Sequence, residues 1–153
     1  MPTPAYQVRP ATPTDARLIV EFQLLMAHES EGLVLERPTL ASGVEAVLSG
    51  AVEARYWIAE QAGQPMGMLM TVPEWSDWRN GTVLWVHSVY VDPVARRQGV
   101  FAAMYDHLRA MVELSDDLVG LRLYVDKGNE GAQRVYEAMG MTREHYHLYE
   151  WLK

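Results

Sequence analysis

Apolar residues recur along this chain at two spacings, one typical of amphipathic helices and one typical of strands. The helical spacing predicts four helices, each with a recognisable start or stop residue such as threonine, asparagine or glycine. The predicted helices run from Thr12 to Gly32, from Thr39 to Gly50, from the Arg96-Arg97 pair to Glu113, and from Asn129 to Met139.

Stretches rich in β-branched and aromatic residues predict six strands. The stretch Thr82–Val91 is apolar on both faces, so we expect it to lie in the middle of a sheet. The order is then β-α-α-β-β-β-α-β-α-β, which predicts the α/β class: a mixed sheet covered by helices, with parallel β-α-β crossovers in its second half. The other predicted strands are Tyr6–Arg9, Arg55–Glu60, Pro65–Val72, Val119–Val125 and Tyr146–Leu152, and 73–81 is predicted to be a loop.

Composition limits the classes of protein to which the chain can belong and indicates the compartment that it suits. With 153 residues, 49% of them apolar, we expect a single domain over residues 1–153. A net charge of −7 argues against nucleic acid as a partner. The lack of cysteine excludes disulfides and a thiol nucleophile, and it suits the reducing cytoplasm. No long apolar run predicts a membrane span or a signal peptide, and no set of His, Asp and Glu has the spacing of metal ligands.

The residues after the central strand predict an anion site. Pro93 has no N–H to donate to a ladder, so the strand should end there. Arg96, Arg97 and Gly99 then stand where a helix begins, and a helix N-terminus offers unpaired N–H groups and a partial positive charge. This combination suits a phosphate or diphosphate. Two surface arginines beside a helix-starting glycine would show the same pattern without any ligand.

The order of motifs beyond that strand resembles the GCN5-related N-acetyltransferase (GNAT) family. Arg96-x-x-Gly99 matches the first and fourth positions of the family's Q/R-x-x-G-x-G/A motif, and Asn129 and Tyr136 match an asparagine and a tyrosine of its next helix. The sixth motif position is usually small, but here it is Phe101. We expect that ring to turn into the core, as its helical spacing with Met104, Tyr105 and Leu108 indicates.

The resemblance implies a GNAT fold with acetyl-CoA as co-substrate and no metal. The diphosphate would lie on backbone N–H groups at the start of the helix, and the pantetheine arm would bond the end of the central strand as an added strand would. Strands 82–91 and 119–125 would splay apart to admit that arm. The implied coenzyme-binding residues are Val89, Tyr90, Val91, Arg96, Arg97, Gln98, Gly99, Val100, Phe101, Ala102 and Asn129.

The resemblance further implies N-acetyl transfer by direct attack of an amine on the thioester. The N–H near Val89 would stabilise the oxyanion, and Tyr136 would donate a proton to the leaving sulfur. Tyr136 also has the spacing of a plain core aromatic. The candidate bases are His87, which we expect on the same side of its strand as Val89 and Val91, and Glu29. A lone strand histidine is more often structural than catalytic.

The residues that would bind the amine acceptor are the least determined part of the predicted site. Acidic and aromatic residues near the helix break and in the 73–81 loop would make a pocket that attracts a cationic amine, although solvated loop charges would look the same. These residues are Glu31, Glu74, Trp75 and Trp78. We expect a small-molecule or peptide amine as acceptor, no nucleic-acid or membrane partner, and a homodimer if Tyr146–Leu152 offers its edge to a second copy. The alternative function is a non-catalytic acyl-CoA-binding or protein-interaction module on the same fold.

Overall fold

The structure, a computed structural model, describes residues 5–143 and 145–153. The chain divides into two compact units, Met1–Leu123 and Tyr124–Lys153, and the expectation of a single domain stays a prediction. The first unit contains β1 (Gln7–Pro10), α1 (Ala16–Glu31), α2 (Arg37–Leu48), β2 (Arg55–Gln61), β3 (Gln64–Ser76), β4 (Gly81–Val91), α3 (Val100–Leu114) and β5 (Leu118–Leu123). The second contains α4 (Glu130–Ala138).

The sheet has five strands in the order β1-β2-β3-β4-β5. The first four are antiparallel neighbours, whereas β4 and β5 are parallel and are joined through α3. The predicted mixed sheet of the α/β class is therefore confirmed. The strand that is apolar on both faces, β4, lies between β3 and β5, as its pattern indicated.

Each face of the sheet carries its own hydrophobic core. We call the two faces the α1 face and the α3 face after the helices that pack on them. Alternate residues of each strand point to opposite faces, so neighbouring positions belong to different cores. The α1 face is built from Ile19, Phe22, Val44, Tyr56, Ile58, Met68 and Tyr90. The α3 face is built from Trp57, Ala59, Leu69, Val86, Val100, Met104 and Leu108.

The start of α1 is fastened to the sheet by charged groups. The Thr12 N–H donates to Asp15 at 2.7 Å, and Arg9 donates to Asp15 at 2.9 Å and to Glu60 at 3.1 Å. The Arg9 hydrogen bond holds the pKa of the Asp15 carboxyl below its usual value. The helix ends where predicted, at Gly32, whose φ of 63° is easy for glycine.

Strand β3 is longer than the pattern indicated, so the expectation of a loop over 73–81 was wrong in its first half. Glu74 lies opposite Val83 and Trp75 lies opposite Thr82, and the turn is confined to residues 77–80. The main chain of β4 pairs with this segment, and that ladder outweighs the low strand propensity of Pro73 and Glu74.

The predicted strand Tyr146–Leu152 is absent, because residues 145–153 form neither helix nor strand. A strand exists through the backbone of a neighbour, which an alternation of residue types does not supply. The edge on which we expected a second copy is therefore not formed in the described residues, and the oligomeric state stays a prediction. In residues 5–143 and 145–153 there is also no helix with the length and apolar character needed to cross a bilayer.

Candidate functional site

The end of β4 has an open edge. Pairing between β4 and β5 runs from Thr82 to Val86 and stops, with Leu123 as the last partner on β5. On its other side β4 continues to pair with β3 as far as Val91. Within residues 5–123 the edge of β4 that faces β5 therefore lacks a strand partner over residues 88–91. This is the stretch where the resemblance places the pantetheine arm.

A bulge at Ser88 changes the direction of the side chains along that stretch. His87 lies opposite Met70 and Tyr90 lies opposite Met68, so two residues of β4 face Leu69 alone. Ser88 has a φ of 54°, a left-handed conformation that is uncommon for a residue with a side chain.

The bulge separates His87 from Val89 and Val91. Met70, opposite His87, packs on the α1 face, whereas Val89 and Val91 pack on the α3 face. The expectation that His87 points to the same side as these valines was wrong. An inserted residue shifts the two-residue alternation by one position, which places the histidine on the other face.

His87 is half-buried on the α1 face, and its ring lies 6.5 Å from the ring of Trp85. Burial lowers the pKa of His87 below its usual value near 6.5. The imidazole is therefore neutral at pH 7 and has a nitrogen lone pair with which it can accept a proton.

Side-chain hydrogen bonds and two left-handed residues shape the turn between β4 and α3. The Asp92 side chain accepts from the Val94 N–H at 3.0 Å, and the Gln98 side chain donates to the Val94 carbonyl at 3.0 Å. Arg97 and Gly99 both have positive φ, 62° and 86°, which reverses the chain directly before the helix. Glycine supplies such a conformation without strain.

Three backbone N–H groups at this helix start lack a partner within the helix. Ala103 is the first residue whose N–H donates within the helix, to Gly99 at 3.0 Å, so Val100, Phe101 and Ala102 precede the ladder. Arg97 is exposed beside them and forms no salt bridge with any residue of 5–143 or 145–153. N–H groups that precede the helix ladder, together with an exposed guanidinium, suit an anion such as a diphosphate.

Phe101 turns into the protein, as expected. It packs against the core of the α3 face, with its ring 6.2 Å from that of Tyr105. The bulky residue at the sixth motif position is therefore accommodated inside the fold.

Unlike Arg97, Arg96 has a side chain that is bonded to neighbouring groups of the protein. Its Nε donates to the Val91 carbonyl at 3.0 Å, and its Nη2 donates to the Glu29 carboxylate at 2.6 Å. Its guanidinium carbon lies 5.7 Å from the centre of the Tyr90 ring. The structure thus brings Glu29 and Arg96 together.

Tyr90 lies on the α1 face beneath this ion pair. Its ring is buried against Phe22, with the two ring centres 4.9 Å apart. Its hydroxyl is buried and makes no hydrogen bond of ordinary geometry with the residues that the structure describes. Burial and the nearby Glu29 charge raise the pKa of Tyr90 above its usual value.

The predicted acceptor residues of the 73–81 segment lie far from the open edge. Glu74 is opposite Val83, and a rise of about 3.4 Å per residue puts Val83 roughly 20 Å from Val89. Glu74 also accepts from Arg122 at 2.9 Å. Trp75 and Trp78 are 63% and 88% exposed near the β3–β4 turn. Of the predicted acidic residues, Glu29 and the exposed Glu31 share the last turn of α1. The structure therefore does not gather these residues into one pocket.

Gly67 lies beside the candidate site at a position that the sequence pattern did not single out. A Cβ atom there would lie 2.9 Å from the Tyr90 carbonyl oxygen and 2.9 Å from Val100 Cγ1. The missing side chain lets the first residue of α3 lie close against the sheet at the end of β4. A glycine inside a predicted strand was the available signal of such a close approach.

The second unit carries Asn129 and Tyr136. The Asn129 side chain accepts from the Ala132 N–H at 3.1 Å and so caps α4. Tyr136 is half-buried, and burial raises the pKa of its phenol above the usual value of 10. The phenol is therefore protonated at neutral pH and able to donate.

Comparison with known proteins finds a matching family model and a similar enzyme. A family model described as the Acetyltransferase (GNAT) family matches residues 23–141. The mycothiol acetyltransferase of Thermobispora bispora is 36% identical over 95 residues, which are 59% of this chain but 30% of that protein. The chain thus spans less than a third of the relative that it matches.

Two solved structures share the fold. A possible acetyltransferase from Clostridium difficile 630 is 34% identical and superposes with a TM-score of 0.90 over 97% of both chains. A predicted acetyltransferase with acetyl-CoA from Clostridium acetobutylicum is 20% identical, with a TM-score of 0.72 over 97% of this chain and 95% of that one.

Proposed function

Because this chain belongs to the GNAT family of acetyltransferases, we propose that it transfers an acetyl group from acetyl-CoA to a primary amine. The observation that carries the proposal is the open edge of β4 directly before the start of α3. An extended arm can pair with the edge from Ser88 to Val91, and the anion attached to it then meets the start of α3 at Val100–Ala102. A coenzyme that joins a pantetheine arm to a diphosphate has this arrangement of groups.

The residues present fit that coenzyme. Arg97 is exposed at the helix start, and Phe101 packs inward, so the bulky motif residue is accommodated in the core. Val89 offers its main chain on the open edge beside the bulge. Support also comes from the fold shared with the Clostridium acetobutylicum protein that is described with acetyl-CoA.

The reaction is a direct attack on the thioester, with three proton transfers. His87 takes a proton from the acceptor's ammonium group and leaves a nitrogen lone pair free. A bond forms between that nitrogen and the acetyl carbon while the carbon–sulfur bond breaks. The Val89 N–H donates to the carbonyl oxygen as negative charge develops there. Tyr136 donates its phenol proton to the departing sulfur, and the phenolate then takes the extra proton from the nitrogen of the new amide.

The choice of His87 as base rests on its environment. Burial keeps its imidazole neutral, and the bulge at Ser88 turns it to the α1 face, which also carries the end of α1. Glu29 is less suited, because it is already bonded to Arg96. The acceptor is a small-molecule or peptide amine.

The proposal is tested in two steps on the purified full chain. Acetyl-CoA at 100 times its dissociation constant should raise the melting temperature by roughly 5–10 °C, because it adds about 2.7 kcal/mol of stability. A panel of amines is then screened for release of CoA thiol. The chain contains no cysteine, so a thiol reagent detects CoA without background from the protein.

The two steps separate the competing functions. An acetyl-CoA shift together with thiol release that depends on an amine supports the transferase. A shift without release for any amine would favour the non-catalytic acyl-CoA-binding module. No shift at millimolar acetyl-CoA would contradict both.

A further inference from the structure

We infer that Arg96 is a positioning residue that couples the coenzyme turn to the last turn of α1, and that it is not a ligand of the coenzyme diphosphate. The inference rests on the proposed function, because it concerns how the coenzyme site and the acceptor side communicate. It separates two adjacent arginines, Arg96 and Arg97, that the motif alone treats as equivalent.

Two nitrogens of Arg96, Nε and Nη2, donate to groups outside the start of α3. Its Nε is bonded to the Val91 carbonyl, its Nη2 is bonded to Glu29, and its planar group lies over Tyr90. The backbone explains the divergence from its neighbour. Arg96 is extended, with φ −64° and ψ 148°, whereas Arg97 is left-handed with φ 62°. Arg97 forms no salt bridge in the described part of the chain, which leaves it available to the anion.

The partner of Arg96 belongs to a weakly anchored turn. Glu29 lies in the last turn of α1, where His28, Ser30 and Glu31 are exposed as well. Such a turn has few buried contacts and opens more readily than the helix centre. The Arg96–Glu29 bond crosses 67 residues of sequence and ties this turn to the end of β4.

Coupling follows from the position of Arg96 in the chain. It directly precedes Arg97 and Gln98, which lead into the N–H groups proposed to hold the diphosphate. An anion bound at Val100–Ala102 restrains this turn, and the restraint passes through the Arg96 side chain to Glu29. The end of α1 lies on the α1 face with His87 and Tyr90. Coenzyme binding therefore orders the acceptor side before the amine arrives.

The same pair contributes little to global stability. Its side chains are 45% and 40% exposed, and ion pairs in such positions are weak because water and salt screen them. Substitution of either residue should leave the chain folded. A loss of coupling can then be measured separately from a loss of folded structure.

The test is hydrogen–deuterium exchange of the full chain with and without saturating acetyl-CoA, read on the peptide that covers residues 26–34. In the wild type we expect acetyl-CoA to slow exchange in this peptide by about fivefold or more, the lower end for coupled sites. Arg96→Gln should bind acetyl-CoA as the wild type does but lose this protection. Glu29→Gln should behave in the same way, and the double variant should lose nothing further.

Two controls complete the design. Arg97→Gln should lose acetyl-CoA affinity, which distinguishes a diphosphate ligand from a positioning residue. Arg96→Lys can still reach Glu29 but lacks the second donor for the Val91 carbonyl, so it should restore part of the protection. With an amine found in the screen, Arg96→Gln should raise the KM of the amine and leave acetyl-CoA binding unchanged.

The outcomes that overturn the inference are distinct from failure of the proposed function. If Arg96→Gln loses acetyl-CoA affinity as strongly as Arg97→Gln, Arg96 is a diphosphate ligand. If acetyl-CoA still protects residues 26–34 in Arg96→Gln, or never protects them in the wild type, there is no coupling through this residue. If the wild type binds no acetyl-CoA at all, the proposed function fails and this inference fails with it.

Discussion

His87 and Val89 lie on opposite faces of the sheet, although only Ser88 separates them along β4. In a regular strand these two side chains would share a face. Because of the bulge, the main chain near Val89 lies at the open edge of β4, whereas the imidazole of His87 points to the α1 face. The geometry of the candidate site depends on the left-handed backbone of Ser88, with φ 54°.

The first prediction concerns Ser88. Ser88→Gly should leave the free energy of unfolding within about 1 kcal/mol of the wild type, because relief of the left-handed strain offsets the greater chain entropy of glycine. Ser88→Val should lose about 1–3 kcal/mol, because a β-branched residue fits this conformation poorly. Chemical denaturation measures both. A valine variant as stable as the wild type would mean that the bulge is not needed.

The second prediction concerns His87 as base. His87→Gln should lower turnover by roughly 100-fold or more, the usual range for a positioned base. The acid limb of the wild-type pH profile should lie below pH 6.5, because burial lowers the pKa of His87, and that limb should vanish in the variant. His107→Gln is the matched control, since His107 lies beside Trp57 of the α3 face. An unchanged acid limb in His87→Gln would exclude this role.

The third prediction is the effect of His87 on stability against pH. Its pKa in the folded protein is below its value near 6.5 in the unfolded chain, so the unfolded chain takes up the proton first as pH falls. This residue's contribution is therefore fully present above about pH 6.5 and is lost as pH falls through the folded-state pKa. Between pH 7 and pH 5 the melting temperature of the wild type should fall more steeply than that of His87→Gln. Parallel curves would contradict a buried neutral imidazole.

The fourth prediction concerns Tyr136. Tyr136→Phe should retain acetyl-CoA affinity while turnover falls by roughly 10- to 1000-fold, because only the proton donor is removed. Calorimetric titration with acetyl-CoA and the thiol-release assay measure the two quantities separately. Tyr149→Phe, at a site that is 92% exposed, is the control and should change neither. If Tyr136→Phe turns over as the wild type does, this phenol takes no part in the reaction.

The fifth prediction concerns Gly67. Gly67→Ala should lower the free energy of unfolding by about 1–3 kcal/mol, because the new methyl group would press on the Tyr90 carbonyl and on Val100. It should also weaken acetyl-CoA binding, because the start of α3 must move. Gly43→Ala in α2 is the opposite case, with nothing within 4 Å of the added atom, and it should stabilise by about 0.5–1 kcal/mol. Equal effects in denaturation curves would show that the close approach at Gly67 is not tight.

The sequence by itself determined most of the elements, the fold class and the place of the turn between β4 and α3. Periodicity and helix ends are local properties: Gly32 ends α1 and Asn129 caps α4 through contacts within a few residues. The turn from Asp92 to Gly99 is equally local, since Asp92 and Gln98 both bond Val94 within it, so the sequence could predict a turn there. The inward direction of Phe101 followed from helical spacing alone.

Only the tertiary structure decided which way the side chains of the candidate site point and which groups they contact. The face of His87 depends on how β4 registers against β3, and the partner of Arg96 is Glu29, 67 residues earlier. The length of β3 and the absence of the strand expected at Tyr146–Leu152 likewise depend on which backbone lies alongside. Such pairings are set by the packing of distant segments, because a hydrogen bond or ion pair depends on distance in space and not on spacing in the chain.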